Sequence, residues 1–273
     1  MGDPYIEGLL PGYDGGRYTK AFLEDYEALE CFANSDTGET LLVKDRSTGG
    51  HFVAKCYLDK TLLSHATEGE ILQGLNHPWL PRFIAEYENE HMLCVVREYV
   101  EGTPLDQYAT AHKIDEAQAI SFVIALCDIL TYLHGQVPPV IHRDIKPQNL
   151  IIDKQGRLWL IDFGIARFFS ESSAEDTVCY GTKYFAAPEQ YGFSQTDCRT
   201  DIFSLGVLLG WLLTGQSELG HILAQVKNPR LLRIVKKCTA FAPGKRYASA
   251  AKVKTALLQS DGHRRKKALL SVF

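Results

Sequence analysis

The sequence predicts an α+β fold in which short strands come first and longer helices follow, and three observations carry that expectation. Short apolar or alternating runs at residues 26–32, 40–45 and 51–58, divided by turn residues at 34–38 and 47–50, have the pattern of strands joined by hairpins. After Asp115 apolar residues recur at helical spacing, and residues 202–213 form an apolar run suited to a buried helix. Between these stretches lies V-I-H-R-D-I-K-P-Q-N-L-I-I-D-K-Q-G-R-L-W-L-I-D-F-G, residues 140–164, around which the chain is organised.

Composition sets the outer bounds. The chain has 273 residues, 45% hydrophobic and 23% charged, enough for a large core in one or two domains. A formal net charge of -4 leaves no global footprint for nucleic acid, so no nucleic-acid partner is expected. The 7 cysteines are odd in number, scattered and without a C-x-x-C pair. They read as reduced thiols of a cytoplasmic protein, not as a disulfide frame or a zinc site. Met1-Gly2-Asp3-Pro4-Tyr5-Ile6 has neither the basic start nor the apolar core of a secretory signal, and Ile6 stands where myristoylation wants Ser or Thr.

Taken in order, residues 1–25 are rich in Gly and Tyr and are expected to form a leader packed on the strand-rich part. Their G-Y-D-G-G-R stretch lacks the spacing of a phosphate loop. A helix is expected over 61–75, stopped at His77-Pro78 because the residue before proline leaves helical geometry, and a strand over 92–99. Asp115 with Gln118 three residues on is a capping-box variant. Ile120, Val123, Ile124, Cys127, Leu130 and His134 then mark a buried helical face, with His134 read as a packed core histidine. In residues 140–164, apolar runs at 149–152 and 158–161 flank a Lys154-Gln155-Gly156 turn. Such a hairpin presents Asp144, Lys146, Asn149 and Asp162 together: carboxylate, cation, amide and second carboxylate. That set suits a metal and a polyphosphate. Residues 170–180 are polar, with Ser170, Ser172, Ser173, Thr177 and Tyr180 among Glu171, Glu175 and Asp176, and read as a loop.

His142-Arg143-Asp144-Ile145-Lys146-Pro147-Gln148-Asn149, followed by Asp162-Phe163-Gly164, resembles the catalytic loop and metal-binding triplet of Ser/Thr protein kinases. The resemblance covers roughly residues 26–259 and implies a bilobal protein-kinase fold, with a small β-rich N-lobe and a larger helical C-lobe. It divides the chain into a leader at 1–25, N-lobe and hinge at 26–102, C-lobe at 103–259 and a tail at 260–273. It implies ATP and Mg2+ as cofactors, with Mn2+ as an alternative, and protein substrates. Asp144 would orient the substrate hydroxyl and accept its proton; Asn149 and Asp162 would hold the metal; Lys146 would offset charge on the transferred phosphoryl group. Phe52-Val53-Ala54-Lys55 resembles the strand whose lysine holds the inner phosphates, with Glu68 as its partner and Glu70 as runner-up. Glu98 and Val100 fall in the stretch that resembles the adenine-binding hinge, and the resemblance counts Gly38 and Ile151 among the nucleotide-binding residues as well. Lys146 and Thr182 resemble the serine/threonine class. Arg143 implies a basic pocket awaiting a phosphate, for which Thr177 is the first candidate. Glu189 would pair with Arg246 as a structural bridge, and Asp201 would bond the catalytic-loop backbone. The Ala187-Pro188-Glu189-Gln190 ending and compact length resemble bacterial members of the family.

The sequence departs from its family at three places. The loop that normally reads G-x-G-x-x-G is Ala33-Asn34-Ser35-Asp36-Thr37-Gly38, keeping only the last glycine. Arg97 stands where an apolar or small residue is usual; it is expected to reach Glu68 or lean to solvent, and would switch the resting form off if it took Glu68 from Lys55. The interval after Gly215 is short, so a docking helix is reduced or missing. These departures keep open a catalytically weak pseudokinase acting as scaffold or switch, and, more remotely, a small-molecule phosphotransferase. The tail runs from His263-Arg264-Arg265-Lys266-Lys267 into an apolar stretch. Two readings stand: the edge of a membrane-spanning helix tethered at the cytoplasmic face, or the solvated basic end of the last helix.

Overall fold

The computed structural model describes residues 15–58, 68–169, 184–192 and 195–270, with side chains as far as Ser260. It divides into two compact units, Met1–Asn76 with Pro81–Val100, and His77–Leu80 with Glu101–Phe273.

The first unit is a five-stranded antiparallel sheet with strands β1 (Tyr26–Ser35), β2 (Gly38–Asp45), β3 (His51–Tyr57), β4 (Phe83–Glu88) and β5 (Leu93–Glu98) in the order β1-β2-β3-β5-β4. Two short helices accompany it, α1 (Lys20–Asp25) and α2 (Glu68–Gln73). Alternation puts Leu41 and Val43 of β2, Ala54 and Cys56 of β3, and Cys94 and Val96 of β5 into one core with Met92. Thr19 starts α1 by accepting from Phe22 N, which aims Phe22 inward. Phe22 stacks on Tyr18 at 5.1 Å and meets Tyr87 edge-on at 5.5 Å. Tyr18, Phe22 and Leu23 therefore pack on this core.

The second unit holds β6 (Gly102–Pro104), α3 (Leu105–Ala111), α4 (Glu116–His134), β7 (Val140–Ile141), β8 (Leu150–Asp153), β9 (Leu158–Leu160) and β10 (Arg167–Phe168). Helices α5 (Cys198–Thr214), α6 (Leu219–Gln225), α7 (Pro229–Cys238) and α8 (Ala250–Leu270) follow. Asp115 and Gln118 close the capping box at the start of α4. By length and composition α4 could cross a membrane, with a mean hydropathy of 1.5 over 19 residues. Its residues Ala119, Val123, Leu126, Leu130 and Leu133 are instead buried in the unit, where α4 packs on α5 and α8. Helix α5 is buried almost all round, and two glycines make that packing close. A Cβ on Gly206 would lie 2.3 Å from Cys238 Cβ, and one on Gly210 would lie 2.2 Å from Ile222 Cγ2. Gly102 pairs with Asp153 and lies in this second unit. Helix α8 continues through Leu270.

The β8–β9 turn rests on Asp153, which is 9% exposed. Its Oδ1 accepts from Gln155 N and Arg157 N, and its Oδ2 from Arg157 Nε at 2.7 Å and Trp159 Nε1 at 3.0 Å. Burial pushes its carboxyl up, but the hydrogen bonds from Trp159 and Arg157 outweigh it and hold the pKa at about 2. Because the folded value lies below the unfolded one, the stabilisation is complete above about pH 4 and lost as pH falls toward 2. It amounts to on the order of 2 kcal/mol. Urea unfolding of Asp153→Asn beside wild type should therefore show a gap at neutral pH that narrows below about pH 4. A gap independent of pH would contradict this account.

Candidate active site

In the second unit the loop after β7 folds on three side chains. Lys146 Nζ donates to Asp144 Oδ2 at 2.7 Å, and Asn149 Nδ2 donates to both Asp144 O and Asp144 Oδ2 at 2.8 Å. A short 3-10 turn, Pro147–Asn149, places Asn149 beside the start of β8. Ile161 N donates to Asn149 O at 2.9 Å, which brings the segment entering Asp162 alongside it. Asp162 has φ 107, and its Oδ1 accepts from Gly164 N at 3.0 Å. A positive φ on a non-glycine residue costs roughly 1–3 kcal/mol and gathers at functional sites. Ile151 is buried in β8 opposite Trp159.

Asp201, fully buried at the start of α5, fixes this loop from beneath. Its Oδ2 accepts from His142 N at 2.9 Å and its Oδ1 from Arg143 N at 2.8 Å. These bonds hold Arg143 in a left-handed conformation, φ 65, that turns the chain toward Asp144. His134 Nε2 meets Asp201 Oδ2 at 2.8 Å. Burial pushes Asp201 up, yet the His134 bond, the nearby His134 and His142 charges and the His142 N–H together hold it below the ordinary carboxylate value. Complete burial pushes the His142 imidazole down, and its ring packs edge-on against Phe163 at 4.9 Å. Arg143 is 8% exposed; its Nε donates to Ile165 O at 2.7 Å, and its carbonyl accepts from Gln190 Nε2.

Glu189 and Arg246 form a bidentate buried pair at 2.6 and 2.7 Å. Thr200 Oγ1 adds a third bond to Glu189, and Arg246 donates onward to the carbonyls of Ala240, Arg199 and Phe241. Every charge in this pair is thus met by hydrogen bonds as well as by its partner.

In the first unit Glu68 opens α2 and is 3% exposed. Its Oε2 accepts from Tyr57 Oη at 2.7 Å and stands 3.8 Å from Lys55 Nζ. Its Oε1 stands 3.4 Å from Arg97 Nε, an ion pair without hydrogen-bond geometry. Arg97 is 5% exposed and of its two expected placements takes the one on Glu68 and not the one toward solvent: the Glu68 carboxylate is the anion that lets a guanidinium be buried there. Nor does Arg97 take Glu68 from Lys55, since each faces a different oxygen. Glu70 is exposed. Glu98 turns its carboxylate to Arg82, accepting from its backbone N at 3.2 Å and its Nε at 3.1 Å, and Val100 lies at the end of the unit. Gly38 pairs with Ser35 across a two-residue turn. A Cβ there would lie 2.4 Å from Cys56 O, so its glycine serves the close approach of β2 to β3. Ser35 Oγ contacts Gly38 O and Thr37 Oγ1, closing the turn on itself. Thr177 and Thr182 lie outside the described residues.

The protein kinase domain family matches residues 28–268. The chain belongs to the protein kinase family. Among its relatives are the serine/threonine-protein kinase Nek1 of Mus musculus, 30% identical over 200 residues, and the serine/threonine-protein kinase TIO of Arabidopsis thaliana, 31% identical over 199. The RAC-beta serine/threonine-protein kinase of Homo sapiens is 27% identical over 205 residues. These matches cover 70%, 71% and 72% of this chain but only 16%, 15% and 42% of the relatives. The relatives are eukaryotic, so the bacterial character read from residues 187–190 has no support from them.

Several partners in each unit were passed over by sequence reasoning. Tyr57 as a donor to Glu68, His134 as a partner of Asp201, and Gln190 as a clamp on Arg143 had no motif to announce them. Only the helical spacing of His134 with the buried face of α4 gave a signal. Among the described residues no group of three or more His, Cys, Asp or Glu could hold a metal ion alone. Asp162 and the Asn149 amide oxygen are two hard oxygen donors, a pair whose chemistry fits a divalent cation.

Sharing of Glu68 has a measurable signature. Glu68→Gln strips two buried or half-buried cations of their common anion, whereas Arg97→Met leaves Glu68 with Lys55 and Tyr57. Urea unfolding should therefore show Glu68→Gln losing about 3 kcal/mol or more and Arg97→Met clearly less. The reverse order would contradict the sharing.

Proposed function

We propose that this kinase transfers the γ-phosphate of ATP to serine or threonine hydroxyls of proteins. The observation that carries the reading is the Asp144 carboxylate held on one oxygen by both Lys146 and Asn149. Those two bonds fix its direction, so that the carboxylate can orient an incoming hydroxyl and take its proton. Lys146, 2.7 Å from that oxygen, also stands where it can offset charge on the transferred phosphoryl group. Asp162 and Asn149 would hold a divalent cation, which neutralises phosphate charge when bound. Lys55, oriented by Glu68, would hold the inner phosphates. In this assignment catalysis is chiefly positioning and electrostatics. Lys146 two residues after Asp144 supports the serine/threonine assignment, as do the named relatives.

A second reading is favoured by one feature: the turn at residues 35–38 closes on its own hydroxyls, and its side chains limit backbone approach to a phosphate. A weakly binding pseudokinase would follow from that. Intact-mass and phosphosite analysis after incubation with magnesium and ATP, run beside Asp144→Asn, separates the two. Added phosphate in the wild type alone, with Thr177 as the first site to inspect, is the expected result. No added mass in either folded protein would overturn the active-kinase proposal.

A further inference from the structure

Charge is distributed very unevenly along this chain. Residues 1–218 carry a formal charge of -16 and residues 219–273 carry +12, although the whole sums to -4. Between Leu219 and Ser260 there are nine Lys and Arg residues and no Asp or Glu. Two of the nine are consumed in structure: Arg246 by Glu189 and Lys254 by Asp128 at 2.6 Å. The rest are outward.

Helix α7 shows why they gather on a surface. Leu231, Ile234, Val235 and Cys238 are buried, and the helix packs on α5 and α8. The amphipathic pattern leaves Arg230, Arg233, Lys236 and Lys237 on the other side, all exposed, with exposed Lys227 two residues before the helix and exposed Lys245 in the 3-10 turn Pro243–Lys245 that follows. Among the described residues none of these six has an ion pair; Lys237 lies over the Tyr247 ring at 4.4 Å. Asn228, which caps α7, donates to Glu116 at the helix start. Phe241, three residues beyond the helix, is 71% exposed.

We propose that the exposed face of α7 binds the surface of an anionic bilayer. The cations come from a loop, a helix and a 3-10 turn, and they are point charges on a convex helix surface, not a fork built around one anion. That arrangement suits many weakly held anions spread in a plane. A flexible nucleic-acid backbone offers similar charge, but two features favour lipid: the exposed aromatic Phe241 beside the cations, suited to a headgroup interface, and the sequence of α8. That helix runs to Leu270 through Arg264, Arg265, Lys266 and Lys267 into Ala268, Leu269 and Leu270, a polybasic segment followed by an apolar one.

The test is sedimentation with vesicles of phosphatidylserine and phosphatidylcholine against phosphatidylcholine alone, at low and high salt. Binding should require phosphatidylserine and weaken with salt. Arg230→Glu/Arg233→Glu/Lys236→Glu should lower the partition coefficient by roughly tenfold or more, and the corresponding triple Gln variant by less. Circular dichroism and thermal melting of both variants confirm that the fold is kept. A separate variant neutralising Arg264 to Lys267 divides the tail from the face. The proposal is overturned if the protein does not bind, binds neutral vesicles equally, or loses binding only with the tail variant. It is also overturned if duplex DNA or an acidic peptide of equal charge displaces the vesicles.

Discussion

Asp144→Asn is expected to lower kcat for phosphotransfer by roughly 10²–10⁴ while leaving the fold intact. The substitution keeps the shape of the side chain, so Asn149 Nδ2 and Lys146 Nζ, both 2.8 Å or less from Oδ2, still find an oxygen in one amide orientation. What is lost is the negative charge that accepts the substrate proton. The effect corresponds to roughly 3–5 kcal/mol of transition-state stabilisation. Kinetics should show it in kcat, with the KM for ATP little changed, because Asp144 is assigned to the hydroxyl and not to the nucleotide. A large rise in KM with unchanged kcat would mean that Asp144 acts on nucleotide binding. A loss of the thermal transition would mean that its role is structural.

Glu189→Ala is expected to cost about 3–5 kcal/mol of folding stability, the range for breaking a buried pair by removing one partner. Arg246 would keep its carbonyl contacts but lose both short bonds to carboxylate, and its charge would remain buried at 5% exposure. Thr200 Oγ1 would lose its acceptor too. Against a typical total of about 5–15 kcal/mol, this places the variant near the edge of folding. Urea unfolding measures it directly. A double substitution, Glu189→Met with Arg246→Met, should recover part of the loss, because it removes the stranded charge as well as the pair. Equal stability of the single and double variants would show that the stranded charge is not the cause.

The two arguments draw on different levels of the molecule. The Asp144, Lys146 and Asn149 constellation lies within six residues, and its chemistry follows from residue type and spacing on a tight turn. The capping box of α4 and the buried stripe of α4 are equally local, since a 3.6-residue period states which face is covered. The strands of the first unit were legible for the same reason, though β1 runs on to Ser35 and β2 begins at Gly38, because two residues suffice to close that turn. What spacing could not supply is the identity of the partner on a covered face. His134 reads as an ordinary core residue until Asp201, 67 residues away, is brought against it. Arg97 reads as a misplaced charge until β5 and α2 bring it against Glu68, which Lys55 and Tyr57 of β3 also meet.

The sequence by itself determined the family, the succession of a strand-rich part by a helical one, and the residues proposed to carry the chemistry, because motif, period and cap are local properties of the chain. Only the tertiary structure decided that Tyr57 joins the two cations on Glu68, that His134 joins the backbone bonds on Asp201, and that the basic residues of α7 share one exposed face. The physical reason is that a buried charge is tolerated only where distant segments converge to satisfy it, and convergence is a property of packing.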